Sequence, residues 1–537
     1  MNGLKLNRFV DKVESDLSFD VVVIGGGITG ATLAYESASR GLSVGLFEKQ
    51  DFGGATSAAT GKLIHGGLRY LKQFEIGLVR EALKERRILS NIAPNLVYPY
   101  PMILPKPGLV ARIGLFVYDL LSFDSKWTWD KTKQIPNHKY LNREQIRKRG
   151  LGDFEDGVYF YDNICLSPER LTLHFLKSAF VHGAKISNYT KVESLLWEGK
   201  RVVGVTIRNL LDDKVTNIRS KVVINASGPW THDVLNTSPN TSLPIPKKRS
   251  EGIYLITKKL TDVMTLFVGD KGHFSFAPWR GHSMIGPTEK SYFGKVKDWV
   301  LTKESVEEFL DYINGSGLLK EKLLIEDVKF VYGGLRPLVE SDSEDTYSSS
   351  RKSDLHDHTK DGIEGLITAA GGKYTTSRSF AEEIFKHIKK KIGKKTKPNI
   401  SKSSYLYASN IENIENFIQT AKNTYKDFSA NTIDYLIRHY GLDYEVILEI
   451  ARTAPNLATV LDGDGEILAQ VYFAIHYEMA KSLTDIFFRR TGLGTLGKLP
   501  DEILDTIIQF VKKELLWDDR RTQSEVDILL TKLNLPS

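Results

Sequence analysis

One cysteine in 537 residues, Cys165, sets the first limits on this chain. A lone thiol closes no internal disulfide, completes no zinc knuckle and holds no iron–sulfur cluster of several thiolates, so any redox chemistry must come from an organic cofactor. Long apolar runs are scarce as well. The most lipid-like stretch, Leu109 to Leu121 (LVARIGLFVYDLL), contains Arg112 and Asp119 and falls short of the ~20 apolar residues needed to span a bilayer, which leaves burial in a membrane surface or in a core. The opening MNGLKLNRFVDKVESDLSFD has no continuous apolar segment of the secretory kind, so a cytoplasmic location is expected. Nor is there a strong excess of one charge. The 73 Lys and Arg against 66 Asp and Glu leave +7, too sparse for a dedicated nucleic-acid binder, so nucleic acid is not expected as a partner. No repeat of 20 to 50 residues and no long low-complexity tract is evident.

What is present is a globular composition, 41% hydrophobic and 26% charged, over a length of several domains of about 150 residues each. From Asp20, DVVVIGGGITGATLAYESASRGLSVGLFEK reads as a β-branched strand, a glycine turn, an amphipathic helix and a second strand. Gly25, Gly27 and Gly30 fit GxGxxG: the first permits a tight turn, the second admits a pyrophosphate against backbone, the third lets helix pack on sheet. The helix N-terminus then faces the phosphates. Glu48 ends the second strand, where an acidic side chain accepts from both ribose hydroxyls and disfavours a 2′-phosphate, which points to NAD or FAD.

Further along, Val192 to Ile207 looks like a hairpin turning at Glu198 to Lys200, and KVVINASGPW ends a strand in a second glycine turn. Glu340 to Gly362 reads as a long polar surface loop. GLITAAGGKYTTSRSFAEEIFKHIKKKI repeats the order strand, glycine turn, helix, and Gly393 to Ser404 has linker composition. The α/β fold class predicted is a Rossmann-type nucleotide-binding domain built from residues 18–75, 150–240 and 350–395. A sheet-based substrate domain is inserted (76–149 and 241–349), and a helical C-terminal domain occupies 400–530.

Two segments combine glycine with cations, GKLIHGGLRYLK (61–72) and YGGLRPL (332–338), and GGKYTTSR adds Lys373. Glycines bring backbone close to a ligand while Arg69 and Arg336 offer planar forks and Lys373 a point charge, a set suited to a polyanionic small substrate. His356 and His358 lie in a polar stretch with no cysteine nearby, and no metal is assigned there. Asp462 begins a calcium-like loop that fails, because its sixth position is Ile467 and its twelfth Phe473. The lysines from Lys386 to Lys395 read as a solvated helix end suited to the helix dipole.

With IGGGITGA, ATSAATGKLIHGGLRYL, NASGPW, FAPWRGHSMIGPTE, YGGLRPL, AAGGKYTTSR, HYG and FFRRTGLG in this order, the chain resembles the FAD-dependent, aerobic, quinone-linked glycerol-3-phosphate dehydrogenases among the D-amino-acid-oxidase-like flavoproteins. The resemblance runs from Asp20 to about Gly497. It implies non-covalent FAD and oxidation of sn-glycerol 3-phosphate to dihydroxyacetone phosphate by hydride transfer from C2 to flavin N5. It further implies electrons passed to a membrane quinone, peripheral attachment to the cytoplasmic face of the inner membrane, and room for a homodimer. An oxidase using oxygen, or a catalytically silent flavin-binding regulatory protein, is the alternative. A cysteine-rich iron–sulfur tail like that of the anaerobic relatives does not fit a chain with Cys165 alone.

By position in the family pattern, the cofactor is held by Gly25, Gly26, Gly27, Ile28, Thr29 and Gly30, by Glu48 and Lys49, and by Thr56 and Ser57. Lys62, Leu63, His65 and Gly66 follow, then Val192, Ala226, Gly228 and Trp230, and finally Gly372, Lys373, Tyr374 and Thr375. Substrate contacts fall to Arg69, Tyr70, Thr288, Arg336, Arg351 and Lys373. Catalysis is expected from Arg336, Lys373, His65 and Tyr254, with His65 the side-chain type that takes up a proton near neutral pH. Two departures stand out. Relatives commonly carry histidine where this chain has Tyr254, after Gly252 and Ile253, and an acid stands two residues before Arg170 where this chain has Pro168 preceded by Ser167, so Glu169 is expected to substitute.

Overall fold

The computed structural model describes residues 3–12, 17–148, 154–237, 248–269, 272–337 and 353–536, with backbone only at 69, 72, 73 and 353. The predicted site residue Arg351, the side chain of Arg69 and the first part of the loop expected from Glu340 lie outside the described residues.

The strand Ser18–Ile24 explains the first layer. Val21, Val22 and Val23 are all fully buried, as β-branched residues are when a parallel sheet is covered on both faces. Its side chains alternate: Val21 and Val23 join a core formed with the helices Ile28–Ser39, Pro168–Val181 and Ser377–Ile392, whereas Val22 and Ile24 join one formed with Leu195, Val202, Val205 and Ile218. The sheet runs Ser353–Asp357, Leu366–Gly371, Val215–Asn225, Ser18–Ile24, Val44–Phe47, Lys185–Ser187, and the predicted hairpin is present as Thr190–Glu198 and Arg201–Asn209, attached through Val215–Asn225. The four strands from Leu366–Gly371 to Val44–Phe47 are parallel neighbours, so their carboxyl ends share one edge.

A second, ten-stranded sheet has Arg249–Thr257 near one end, paired with Val328–Pro337, His282–Gly286 and Lys290–Tyr292. It continues through Gly272–Trp279, Met264–Gly269, Val97–Pro105, Asp156–Cys165 and Leu63–Ile64. Asp156–Cys165 therefore belongs here and not with the nucleotide-binding segments, because it pairs along its length with Val97–Pro105. The stretch read as a loop to Gly362 is also corrected in part: Ser353–Asp357 is an edge strand antiparallel to Leu366–Gly371, and His358–Asp361 a turn of 3-10 helix.

Helices from Ile414 to Leu533 form the C-terminal part around their own core of Ile433, Leu436, Ile447, Phe473 and Ile486. The segment of linker composition is not a free tether. Lys397 N–H donates to Arg40 O, and Ser401, 1% exposed, takes a hydrogen bond from Arg378. The calcium-like loop carries an internal cation instead: Asp462 Oδ1 accepts from the amides of Asp464, Gly465 and Glu466, while Asp462 Oδ2 lies 2.7 Å from the Arg280 guanidinium. Among the described residues no helix is long and apolar enough to cross a membrane.

Candidate active site

A cavity of 2470 Å³ starts at the carboxyl edge of the parallel strands, beside Ile24, Phe47 and Ala226, and is walled on its far side by Met102, Phe160, Tyr254 and Met284 of the second sheet. Its nucleotide end is built by glycine. Gly25 has φ +105°, and a Cβ there would lie 2.7 Å from Ala226 O; a Cβ on Gly30 would lie 1.9 Å from Gly25 O. The helix Ile28–Ser39 thus begins directly against the sheet with Gly27 as N-cap and no capping side chain, and Ile28 N–H donates to Ser57 Oγ at 2.9 Å. An anionic group fits such an uncapped, cavity-facing N-terminus.

Glu48 lines the cavity while its carboxylate accepts from Gly26 N–H at 2.7 Å and Gln50 N–H at 2.8 Å. Those bonds tie the glycine turn to the second strand and use one site on each oxygen, leaving lone pairs for ribose hydroxyls. Burial pushes the Glu48 carboxyl upward against these two amides and Lys49. Burial also lowers the Lys49 ammonium, which stands 3.7 Å over the Trp230 ring. Together the uncapped helix, the glycine cradle and the acid fit an FAD-sized dinucleotide.

Leu63, His65, Tyr70, Tyr254, Arg336, Lys373, Tyr374 and Thr375 line the same cavity, although they come from four distant segments. Lys373 Nζ lies 3.5 Å from the Tyr70 ring centroid. His65 N–H donates to Thr375 Oγ1 at 3.2 Å, which joins the HGGLRY loop to the GGKYT turn. Tyr254 stacks on Tyr332 at 5.0 Å, and Tyr332 donates to Thr60 O. The Arg336 guanidinium packs against Gly252 on the neighbouring strand, where a Cβ would fall 2.0 Å from Arg336 Nη2.

The remaining nucleotide-side residues Thr29, Thr56, Val192, Gly228 and Gly372 line the same cavity. Five others are not on its wall, among them Gly30, which packs against the Gly25 carbonyl. Lys62 turns its ammonium to Glu169, 3.7 Å away, and to the Trp279 ring; Thr288 instead clasps Ile253, its Oγ1 accepting from Ile253 N–H at 2.9 Å. Gly66 is held behind the wall by a 2.8 Å bond from its N–H to Tyr118 Oη, and Gly26 spends its amide on Glu48. Glu169 does not pair with Arg170: that guanidinium lies 2.5 Å from Glu478 of the C-terminal part, and Ser167 caps the helix Pro168–Val181.

Sequence reading missed two supports. Asp162, on the cavity wall, takes the Tyr118 hydroxyl and Arg86 at 2.5 Å, and so fixes the Gly66 amide. Asp51, also on the wall, is buried between Asn188, Arg489 and Arg490, both arginines reaching in from the C-terminal part. Burial opposes ionisation of Asp51, but Arg490 and Arg489 hold its carboxyl at about 2. The apolar neighbours of Asp162 in YFYDNI give it away as a strand residue with an inward polar group; Asp51 left no such signal.

A glycine-turn parallel sheet with a dinucleotide cradle, facing a second sheet across a substrate-sized space, defines a flavin-dependent oxidoreductase of the D-amino-acid-oxidase type. Residues 20–378 match the FAD dependent oxidoreductase family, and residues 379–522 the C-terminal domain of alpha-glycerophosphate oxidase. The chain is 32% identical over 505 residues to a glycerol-3-phosphate dehydrogenase of Synechocystis, covering 89% of both chains. It is 32% identical over 501 residues to the aerobic glycerol-3-phosphate dehydrogenase of Staphylococcus epidermidis, covering 89% of this chain and 87% of that one. The crystal structure of the Bacillus halodurans glycerol-3-phosphate dehydrogenase complexed with FAD superposes with a TM-score of 0.77 at 25% identity, over 97% of this chain and 95% of that one. The chain belongs to the FAD-dependent glycerol-3-phosphate dehydrogenase and oxidase family.

Proposed function

We propose that this protein oxidises sn-glycerol 3-phosphate to dihydroxyacetone phosphate and passes the electrons to a membrane quinone. The observation that carries the reading is that Arg336 and Lys373, two cations from separate glycine-rich segments, line the same cavity as the dinucleotide cradle. FAD, when bound, supplies the two-electron acceptor for the C2 hydride. The glycine turn Gly25–Gly30 and Glu48 hold its pyrophosphate and ribose, and Thr56, Ser57, Val192, Ala226, Gly228, Trp230 and the Gly372–Thr375 turn complete the cradle.

Around the substrate, Arg336 forks onto the phosphate with the help of Arg69, Arg351 and Tyr70, and this binding energy, remote from C2, orients the alcohol. Lys373 polarises the C2 oxygen. His65 takes the hydroxyl proton as the carbonyl forms, and Tyr254, standing where relatives carry histidine, donates a hydrogen bond instead of acting as base. Met102, Phe160 and Met284 give the cavity an apolar wall.

The quinone reading is supported at the other end of the cavity. Phe74, Ile76, Val110 and Ile113 line its mouth, and these side chains are exposed, Phe74 by 86%. They continue into the exposed face of the helix Leu109–Leu121, where Leu109 is 73% exposed. Such a patch suits a lipid surface and gives a lipid-soluble acceptor a dry route inward. The reading carries with it a cytoplasmic enzyme attached peripherally to the inner membrane. The test is anaerobic addition of glycerol 3-phosphate to the holoenzyme: the flavin's visible absorption bleaches and returns on adding a quinone. No bleaching overturns the enzyme reading, and reoxidation by oxygen with one hydrogen peroxide per turnover, faster than by quinone, overturns the acceptor.

A further inference from the structure

Outside the cavity, the hairpin that leads into the Gly372–Thr375 turn brings three ligating groups to one point. Antiparallel pairing of Ser353–Asp357 with Leu366–Gly371 sets His356 opposite Thr368, and the 3-10 turn His358–Asp361 carries Asp361 back towards the strand. Asp361 Oδ2 then lies 2.6 Å from His356 Nε2 and 3.1 Å from His358 Nδ1. The two imidazoles meet edge to face with centroids 4.6 Å apart.

His358 is the informative member. It is completely buried, and its Nε2 lies 2.9 Å from Thr368 Oγ1. Its Nδ1 forms no hydrogen bond among the described residues; the approach to Asp361 is close but off the line a hydrogen bond needs. A buried ring nitrogen without a partner is costly. With Nε2–H donated to Thr368, the Nδ1 lone pair faces the carboxylate oxygen, an arrangement that a cation between them turns from repulsive to attractive. A hydrogen bond donated by the other ring N–H is also what orients metal-ligating histidines in proteins.

The surroundings agree. Asp357, between the two histidines in sequence, is engaged elsewhere, with Lys391 at 2.8 Å and His387 at 3.5 Å, so that lysine's charge is matched outside the cluster. Asp361 is 39% exposed, which leaves an entry path and room for a water ligand. Tetrahedral zinc keeps nitrogen and oxygen donors about 2.0–2.1 Å from itself and hence roughly 3.3 Å from each other. The three ligating atoms all lie within 4.8 Å of one another.

We propose that His356, His358 and Asp361 form a three-ligand site for a divalent first-row transition ion, zinc above all, completed by water. Two imidazoles with one carboxylate suit zinc and its neighbours, whereas calcium and magnesium ask for oxygen donors throughout. The ion clasps the turn to its strand at the outer edge of the flavin sheet. It takes no part in the oxidation, since none of the three residues lines the cavity.

The test compares the holoenzyme with His356→Ala and Asp361→Asn. Each protein is stripped with a chelator, dialysed against zinc chloride, passed through a desalting column and assayed for zinc per flavin. The wild type retains one zinc per chain, and either variant binds at least about tenfold more weakly with flavin content and glycerol 3-phosphate oxidation unchanged. A wild type that retains no zinc overturns the site, as do variants that retain as much as the wild type. Retention of calcium in preference to zinc, in a parallel dialysis, overturns the choice of ion.

Discussion

Gly252 and Arg336 face each other across two antiparallel strands, Ser250 opposite Arg336 and Gly252 opposite Gly334, and the guanidinium occupies the volume a side chain at 252 would fill. The glycine is thus a condition for the placement of the Arg336 guanidinium, one strand away from it in space and 84 positions away in sequence (336 − 252). Gly252→Ala forces the guanidinium aside while leaving every FAD-side group in place. On the proposed phosphate role of Arg336, charge-assisted bonds worth about 1.5–3 kcal/mol are lost, so the variant loses about ten- to a hundredfold in kcat/KM for glycerol 3-phosphate. Steady-state kinetics with flavin content as the control measures this. An unchanged kcat/KM removes Arg336 from the phosphate site.

The helix Leu109–Leu121 carries apolar residues on both faces, but the protein covers only one. Leu115 and Tyr118 are buried, while Leu109, Ile113, Phe116 and Leu120, spaced three or four apart, form an exposed stripe beside the cavity mouth. On the proposed membrane attachment, Phe116→Glu replaces an exposed ring with a charge without disturbing the buried face. Burying a phenylalanine is worth about 1.5–3 kcal/mol, so vesicle binding falls by about ten- to a hundredfold and quinone reduction with it, whereas turnover with a water-soluble acceptor holds. Co-sedimentation with anionic vesicles measures the first; equal sedimentation of variant and wild type sinks the membrane reading. Helices and strands of this kind were legible in the sequence wherever local periodicity decides the outcome. The DVVVIGGGITGA unit, the hairpin at Glu198 to Lys200 and the GLITAAG strand are all present as read. Illegible were the facts set by partners distant in sequence. Lys62 turning to Glu169, Thr288 clasping Ile253, and Asp156–Cys165 joining the second sheet depend on groups that no local window contains.

At the scale of the whole chain, the C-terminal helices are bound to the flavin sheet by ions taken out of water. Asp51 meets Arg489 and Arg490; Glu478 meets Arg170 at 2.5 Å and Lys177, which also reaches Asp443. Burial opposes ionisation of Glu478, yet Arg170 and Lys177 hold it at about 2, as the two arginines hold Asp51. Both folded values lie below the ordinary range of about 3.9–4.3 for the unfolded chain. The sign follows: a depressed acid binds fewer protons folded than unfolded, so its contribution is complete above about pH 5 and is lost as pH falls from about 4 to 2. Removing one partner of such a pair costs about 3–5 kcal/mol at neutral pH, because the other charge stays buried. Arg490→Leu therefore melts well below the wild type at pH 7. In the variant Asp51 protonates more readily, so acid costs it less, and the gap between the two thermal midpoints narrows between pH 5 and about 2.5. Calorimetry of both holoenzymes across that range measures the gap, and one that stays constant with pH shows that the Asp51 pair does not couple the C-terminal helices to the flavin sheet.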